Sequence, residues 1–139
     1  MANSHHRRWP IGLAIAAAAT LSATALAHDG TQTRIFSSGF TFAEATGEEL
    51  FANICQGCHM PDAGGAAGAG SYPSLTADRN LEARGYPVYL VLHGRRAMPP
   101  FGEMMTDAQV AAVVNYLRSN FGNNYEDAVT ANEVRDARR

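Results

Sequence analysis

The most regular pattern of apolar and polar positions lies in the C-terminal third of the chain. Its apolar residues recur at helical spacing on one face: Ala108, Ala111, Val114 and Leu117, broadened by Val110 and Val113. Thr106 is followed three residues later by Gln109, a capping box that predicts the first turn of this helix. Gly122 marks its expected end, because glycine commonly terminates helices.

A second capping box pairs Thr46 with Glu49 and precedes an apolar run that reaches Cys55. This pattern predicts a helix that runs through Leu50, Phe51 and Ile54 toward Cys55. Residues 61–74 are rich in Pro, Gly, Ala and Ser, which is typical of a loop. Residues 94–105 contain two consecutive prolines and are also expected to be irregular.

Two shorter helices complete the expected set. One follows Tyr86, with Pro87 in its first turn and Gly94 as its stop. The other begins at Thr130, with Glu133 at the third helical position. We find neither a convincing pair of strands nor an internal repeat, so the pattern predicts an all-α protein with long loops.

The N-terminus has the features of a secretory signal peptide. Arg7 and Arg8 precede an apolar run of small residues, and the run closes on Ala25-Leu26-Ala27. The alternative is a membrane anchor, which needs about 20 mainly apolar residues; this run is shorter and interrupted by Ser and Thr. We therefore expect export to the periplasm, with residues 1–27 removed after Ala27.

Composition narrows the function classes. The chain has 139 residues, no lysine, 11 arginines and 13 acidic residues, for a formal net charge of −2. Once the two arginines of the signal peptide are removed, nine arginines remain, compared with 13 acidic residues. This balance excludes a nucleic-acid-binding class, which shows an excess of basic residues. No second long apolar segment follows, so we expect contact with a membrane only through a partner.

The chemistry is concentrated in Cys55-Gln56-Gly57-Cys58-His59. Two thiols at this spacing can add to the two vinyl groups of a haem, and the histidine that follows can reach the iron. Three alternatives remain: a zinc site, for which only the scattered His28 and His93 are further ligands; a thioredoxin-like redox pair, which would need a βαβ context; and a plain Cys55–Cys58 disulfide.

The candidates for a second iron ligand are the thioethers of Met60, Met98, Met104 and Met105, besides the imidazoles of His28 and His93. Met60 adjoins the histidine of the motif and would lie on the wrong side of a haem. Met98 precedes Pro99-Pro100, which can hold its sulfur in one place. Met104 and Met105 lie just before the long helix, where packing in the core is the ordinary role of methionine. We therefore expect Met98 to be the ligand.

These motifs, in this order, resemble the class I cytochrome c family over residues 47–121. The resemblance rests on Gly47 and Phe51 ahead of Cys-x-x-Cys-His, then Pro73-x-Leu75, Met98-Pro99 and Tyr116. It implies a cytochrome c-like fold of three to four main helices and long loops around one covalent haem c. It also implies that the first and last main helices cross at Gly47, with Phe51 and Tyr116 packed at the crossing.

The resemblance further implies two haem-pocket residues besides the motif. The Pro73 carbonyl would accept a hydrogen bond from the ring of His59, and Leu75 would line the pocket. The expected haem-binding residues are thus Cys55, Cys58, His59, Pro73, Leu75 and Met98, with His59 and Met98 on the iron. The expected domain organisation is a signal peptide (1–27), an irregular extension (28–45), a cytochrome c domain (46–121) and a tail (122–139).

An iron with both axial positions filled has no place for substrate, so we expect one-electron transfer and no enzymatic activity of the chain alone. His/Met ligation raises the potential relative to more basic ligand pairs. This suits a carrier that accepts electrons from a dehydrogenase and passes them to a membrane oxidase or a quinone-linked chain. The alternative is a five-coordinate haem enzyme or a small-ligand-binding haem protein.

Two features depart from the common family pattern. Docking through a ring of lysines is excluded, because the chain has no lysine. Arg95 and Arg96, beside the Met98 loop, either are solvated surface residues or contact a haem propionate or the acids of a partner. The tail is similar to those of cytochrome subunits of bacterial periplasmic dehydrogenases. Either it covers the core, or its apolar residues Tyr125, Val129 and Val134 hold the chain on a dehydrogenase, so that truncation would leave much of the stability.

Overall fold

The computed structural model describes residues 41–139 except residue 69. The expected signal peptide and residues 28–40 of the expected extension lie outside this part of the chain. Within it, four helices, one 3₁₀ turn and one short antiparallel pair of strands form a mostly helical fold, which confirms the all-α class. None of the helices in residues 41–139 is long and apolar enough to cross a membrane.

Helix α1 (residues 47–59) has α-helical ends and a π-helical middle: Gly47–Leu50, Phe51–Cys55 and Gln56–His59. The predicted capping box is confirmed. The Thr46 hydroxyl accepts a hydrogen bond from the Glu49 amide at 3.2 Å, and the Glu49 carboxylate accepts one from the Thr46 amide at 3.1 Å. Each side chain satisfies an amide that has no partner within the helix.

Helix α2 (Gly85–His93) follows a 3₁₀ turn (Arg79–Leu81) and begins one residue before Tyr86. It ends at Gly94 as predicted, where φ is +68° and the chain turns away. Its buried face consists of Pro87, Val88, Val91 and Leu92. Helix α2 therefore presents one apolar stripe to the core and leaves the opposite side in solvent.

Helix α3 (Asp107–Ser119) begins at the predicted capping box of Thr106 and Gln109. Its buried residues are Val110, Ala111, Val113, Val114, Leu117 and Arg118. The expectation that Ala108 belongs to the buried face is wrong, because this residue is exposed in the first turn of the helix. The helix also stops before Gly122, since Asn120 takes an extended conformation (φ −126°, ψ 179°).

Helices α1 and α3 cross at Gly47, as the family resemblance implied. A Cβ at this position would lie 2.7 Å from the Cβ of Tyr116 and 2.7 Å from the carbonyl carbon of Ala112. Only glycine lets the two backbones approach so closely. The rings of Phe51 and Tyr116 pack beside the crossing with centroids 5.8 Å apart, and Phe51 also contacts Phe121 at 4.7 Å.

The loop after α1 contains a pair of strands that the sequence did not predict. Strand β1 (Ala66–Ala67) pairs antiparallel with strand β2 (Ser71–Tyr72). The Gly68 amide donates to the Gly70 carbonyl at 2.9 Å and closes the turn between them. Two residues per strand are too few to show an alternation of apolar and polar positions, so sequence periodicity could not reveal this pair.

The tail is part of the core. It forms helix α4 (Ala131–Ala137), which begins at the predicted capping box of Thr130 and Glu133. Val129 is 4% exposed, Val134 is fully buried and Tyr125 is partly buried against the core. The hypothesis that these three side chains hold the chain on a dehydrogenase is therefore wrong, because they already pack within the chain itself.

A buried arginine links the tail to the rest of the fold. Arg118 is 1% exposed, and its Nε donates to the Leu81 carbonyl at 2.8 Å. Its terminal nitrogens donate to the Glu82 carbonyl at 3.3 Å and to the carbonyl and carboxylate of Asp127. The guanidinium also lies 5.5 Å from the centre of the Tyr125 ring. The charge is tolerated in the core because its donors are satisfied.

Three carboxyl groups have pKa values below their ordinary range. The Thr46 amide lowers the pKa of Glu49, and the Thr130 amide lowers that of Glu133. The hydrogen bond from the buried arginine lowers the pKa of Asp127. A carboxyl whose pKa is lower in the folded than in the unfolded state stabilises the fold at pH values above its pKa in the unfolded state, which is near 4. This contribution disappears as pH falls through the folded pKa.

We therefore expect the free energy of unfolding to be nearly constant from about pH 7 to 5 and to fall progressively below about pH 4. Urea denaturation at a series of pH values measures this. A Glu49→Gln/Glu133→Gln variant should have a shallower decrease, because glutamine caps a helix without titrating, as Gln109 does in α3. An equally steep decrease in the variant would contradict the assignment to the capping boxes.

Candidate functional site

The end of helix α1 places the two cysteines and the histidine on one side. Cys55 and Cys58 are three residues apart, and His59 follows Cys55 by four, so the three side chains are neighbours on the helix. Both cysteines are free thiols, with Cys55 half-buried and Cys58 exposed. The helix ends immediately afterwards, where Met60 has a φ of +66°. A π-helical segment such as the one that ends at Cys55 is often found at functional sites.

The surroundings of Cys55 keep its thiol protonated. Burial raises the pKa of the Cys55 thiol to about 11, and the neighbouring Cys58 adds to this effect. Cys55 is consequently a neutral thiol at physiological pH. The structure does not pair the two sulfurs, and residues 41–139 contain no cluster of three or more His, Cys, Asp and Glu side chains arranged to hold a metal ion.

The ring of His59 is held by a backbone carbonyl. Its Nδ1 lies 3.0 Å from the carbonyl oxygen of Pro73. A carbonyl can only accept, so Nδ1 carries the proton and Nε2 keeps a free lone pair. The hydrogen bond that the resemblance implied is thus present. It orients the imidazole and makes Nε2 a better ligand for a metal.

The loop that carries Pro73 is tied to the turn after α1. The Leu75 amide donates to the Ala63 carbonyl at 2.8 Å, and the Gly65 amide donates to the His59 carbonyl at 3.0 Å. Gly65 has a φ of +70°, and a Cβ there would lie 2.7 Å from the carbonyl carbon of Pro73. Glycine at this position therefore permits the close approach that brings the Pro73 carbonyl to the histidine ring.

Met98 lies at the end of a tight turn that begins at Arg95. The two residues exchange both backbone hydrogen bonds, each 3.0 Å long. Two prolines follow, and the Phe101 amide then donates to the Val91 carbonyl of helix α2 at 2.9 Å. The chain is thus fixed on both sides of Met98, whose side chain is half-buried against the core.

The other methionine and histidine candidates have different surroundings. Met105 is 4% exposed and belongs to the core. Met104 is half-buried, and its carbonyl accepts from the Phe42 amide at 3.2 Å. His93 is exposed at the end of α2 and stacks on Tyr89 with ring centres 4.6 Å apart, whereas His28 lies outside the described residues.

This set of groups fits a haem. Two free thiols are the groups to which a c-type haem is attached, and an imidazole with a free Nε2 and a half-buried thioether are the ligands that its iron can take. Apolar side chains that are partly buried against the same core would supply a dry wall: Ile54, Leu75, Met98 and Phe101. The structure therefore supports the chemistry expected from the sequence, whereas the zinc alternative finds no ligand cluster in residues 41–139.

Sequence reasoning missed two buried polar residues. Arg118 and Asn123 are the buried polar or charged residues of residues 41–139. Arg118 follows Val114 by four positions and Ala111 by seven, so helical spacing places it on the buried face. This spacing could have indicated from the sequence that Arg118 is buried. Asn123 follows the end of α3, where no periodicity indicates burial.

Comparison with known proteins gives one family and several relatives. Residues 42–117 match the family described as cytochrome c oxidase, cbb3-type, subunit III. The cytochrome c subunit of gluconate 2-dehydrogenase from Pantoea cypripedii is 30% identical over 106 residues, which cover 68% of this chain and 24% of that protein.

The cytochrome c subunits of the quinone alcohol dehydrogenases from Gluconacetobacter polyoxogenes and Komagataeibacter europaeus are each 28% identical over 120 residues. These alignments cover 77% of this chain and 25% of each relative. The chain therefore spans about a quarter of the length of the curated relatives it matches.

Proposed function

Since the chain belongs to the cytochrome c family described as cytochrome c oxidase, cbb3-type, subunit III, we propose that it is a periplasmic mono-haem carrier of single electrons. The Cys-x-x-Cys motif of this cytochrome c domain implies a covalently bound haem c. The observation that carries the proposal is the hydrogen bond of 3.0 Å from the His59 ring to the Pro73 carbonyl, on the same helix end as both free thiols.

Each site residue has a defined part in this proposal. The thiols of Cys55 and Cys58 would hold the haem covalently, each by addition to one vinyl group: one carbon–sulfur bond forms and the thiol hydrogen goes to the other vinyl carbon, so no oxidant is needed. His59 would bind the iron through Nε2, while Pro73 holds the proton on Nδ1. Met98 would supply a second ligand through its thioether sulfur. The bound haem supplies a reversible Fe(II)/Fe(III) couple.

Covalent attachment is tested on the exported protein, produced with a haem-attachment system. Acidified acetone should leave the haem on the polypeptide, and in-gel haem staining should coincide with the protein band. A Cys55→Ser/Cys58→Ser variant, treated in parallel, should show no stain. Haem that acetone removes from the unmodified protein would contradict the proposal.

N-terminal sequencing of the same periplasmic protein tests export, for which His28 is the expected first residue.

Met98 discriminates the carrier from a five-coordinate haem enzyme or a small-ligand-binding haem protein. We expect Met98→Ala to abolish the weak charge-transfer absorption at the red end of the spectrum that marks a thioether on Fe(III). Its midpoint potential should fall, because water or another ligand replaces the thioether. Absorption spectroscopy and redox titration measure both effects.

Met104→Ala is the matched control, because Met104 is also a half-buried methionine and lies six residues further along the chain. It should keep both the absorption and the potential. Loss of the absorption in Met104→Ala but not in Met98→Ala would show that the ligand assignment is wrong. An unmodified protein without this absorption would favour the five-coordinate alternative.

For the partners, we propose a dehydrogenase as the electron donor and a membrane oxidase or a quinone-linked chain as the acceptor. The proposal is supported by the relatives, whose names describe cytochrome c subunits of gluconate and alcohol dehydrogenases. Purification of the native, untagged protein from the periplasm and membrane fractions, followed by identification of accompanying subunits, tests it. Absence of any dehydrogenase subunit would contradict the donor assignment.

Arg95 and Arg96 are suited to meet an acidic partner. Neither forms an ion pair with another described residue, and both are exposed beside Met98. Other arginines do form such pairs: Arg84, Arg118, Arg135, Arg138 and Arg139. No acidic residue occurs between positions 85 and 102, so this surface is locally positive on a chain whose net charge is negative.

An Arg95→Gln/Arg96→Gln variant should therefore react more slowly with an anionic oxidant such as ferricyanide. We expect a decrease in rate of about threefold or more at low ionic strength, because charge steering acts over roughly one Debye length. Stopped-flow oxidation measures the rate, and the difference should vanish at about 1 M salt. An Arg135→Gln/Arg139→Gln variant removes the same charge from the C-terminal end of the chain and should react like the unmodified protein. Equal slowing of both variants would contradict a local role.

A further inference from the structure

The loop of residues 73–81 connects the proximal side of the site to the C-terminal segment. At its start, Pro73 accepts the hydrogen bond from the His59 ring, and the Leu75 amide donates to Ala63 at 2.8 Å. These contacts hold the loop against the end of α1. The Leu75 carbonyl and the Asp78 amide take no part in these contacts; both bind the C-terminal segment instead.

Asn123 binds those groups. Its Nδ2 donates to the Leu75 carbonyl at 2.9 Å and to the Leu117 carbonyl at 2.8 Å. Its Oδ1 accepts from the Asp78 amide at 2.8 Å. The residue is only 6% exposed, so these bonds replace water. One buried amide thus joins the last turn of α3 to two points of the loop.

Neighbouring contacts reinforce the same connection. The Ala77 amide donates to the Phe121 carbonyl at 3.0 Å, and the Tyr125 hydroxyl donates to the Asp78 carbonyl at 3.3 Å. Ala77 and Phe121 both have positive φ values, +48° and +55°. Non-glycine residues adopt this conformation only where the surrounding structure compensates for its cost. The two residues therefore depend on the contact that they share.

We propose that Asn123 is a positioning residue for His59, acting through the backbone of Leu75 and Pro73. The inference rests on the proposed function, because it treats His59 as the iron ligand. Asn123 lies beyond residue 117, where the family match ends. In this chain, residues outside the matched segment therefore complete the support of the proximal ligand.

The physical effect follows from the hydrogen bond of the imidazole. A carbonyl that accepts from Nδ1 makes the histidine more basic and stabilises Fe(III) relative to Fe(II). Loss of the Asn123 bonds frees the Leu75 carbonyl and the Asp78 amide, and the loop that presents Pro73 loosens. The histidine then becomes a weaker donor, so the midpoint potential rises.

The experiment compares Asn123→Ala with Asn115→Ala in the haem-loaded protein. Asn115 is a matched control: its side-chain amide likewise both donates and accepts, but both of its hydrogen bonds are with Val129 of the tail, at 2.7 and 2.9 Å. It makes none with residues 73–81. Both variants lose stability, so stability alone does not discriminate between them.

Two measurements distinguish a positioning role from a general loss of stability. Redox titration should show a higher midpoint potential in Asn123→Ala and an unchanged potential in Asn115→Ala. NMR of the reduced protein should show the His59 ring N–H exchanging with solvent about tenfold faster in Asn123→Ala alone, since a loss of about 1.4 kcal/mol in local stability has this effect. If Asn123→Ala does not fold, Asn123→Ser replaces the amide by one hydroxyl, which can keep part of the hydrogen bonding, and should give a smaller shift in the same direction.

The outcomes separate the inference from the function on which it rests. A potential and an exchange rate that stay unchanged in the Asn123 variants would overturn the positioning role. Equal changes in Asn123→Ala and Asn115→Ala would also overturn it, because they would reflect a general loosening. An unmodified protein without covalent haem would instead refute the proposed function.

Discussion

A Gly47→Val chain is expected to be severely destabilised. The crossing of α1 and α3 leaves no space for a side chain: even a Cβ would lie 2.7 Å from Tyr116 Cβ, and closer still to the Ala112 carbonyl oxygen. Both neighbours belong to a helix and cannot move singly, so α1 must separate from α3. Overpacking of a core typically costs 1–3 kcal/mol and sometimes more, and a branched side chain at a backbone contact lies at the upper end.

The measurement is urea denaturation of the haem-loaded Gly47→Ala and Gly47→Val variants. We expect Gly47→Ala to lose about 3 kcal/mol despite the better helix propensity of alanine. Gly85→Ala is the control, because a Cβ there has no atom within 4 Å. Its stability should be unchanged or slightly higher. A Gly47→Ala variant as stable as Gly85→Ala would contradict the close crossing.

A chain truncated after Asn123 is expected to be severely destabilised. The deletion removes Val129 and Val134, whose burial stabilises the fold by about 1.5–3 kcal/mol each. It also removes both Asp127 acceptors of Arg118, which leaves a buried guanidinium partly unpaired. Since domains of this size are stable by about 5–15 kcal/mol, the truncated chain should be largely unfolded unless its haem compensates.

Thermal and urea denaturation of the truncated holoprotein test this expectation. Arg135→Ala is the control within the same segment, since this residue is exposed and its removal should change stability by less than about 0.5 kcal/mol. A truncated protein with nearly full stability would show that the tail covers the core without supporting it. It would also restore the interpretation that this segment is free to contact a partner.

Local signals were read correctly from the sequence. Capping boxes begin three of the four helices, at Thr46, Thr106 and Thr130. Each consists of two side chains three residues apart, and its partners are known once the sequence is known. The end of α2 at Gly94 is equally local, because it follows from the backbone freedom of one residue.

Contacts between distant residues were predicted less well. The bond from His59 to Pro73 joins residues 14 positions apart, and the resemblance to a known family suggested it where periodicity could not. The three bonds of Asn123 join it to residues as far as 48 positions away. Nothing in its neighbourhood distinguishes it from the exposed Asn120, because burial depends on which loop arrives above it.

The sequence by itself determined the chemistry of the site and the starts of the helices, because the thiols, the imidazole and the caps act on neighbours along the chain. Only the tertiary structure decided what the tail does. Val129 and Val134 are apolar residues in a polar segment, a pattern that fits either a docking surface or a part of the core. Their burial depends on the groove beside α3 and on Arg118, whose donors are satisfied only when Asp127 is packed against it. Packing of this kind is a property of the assembled chain, and no local pattern contains it.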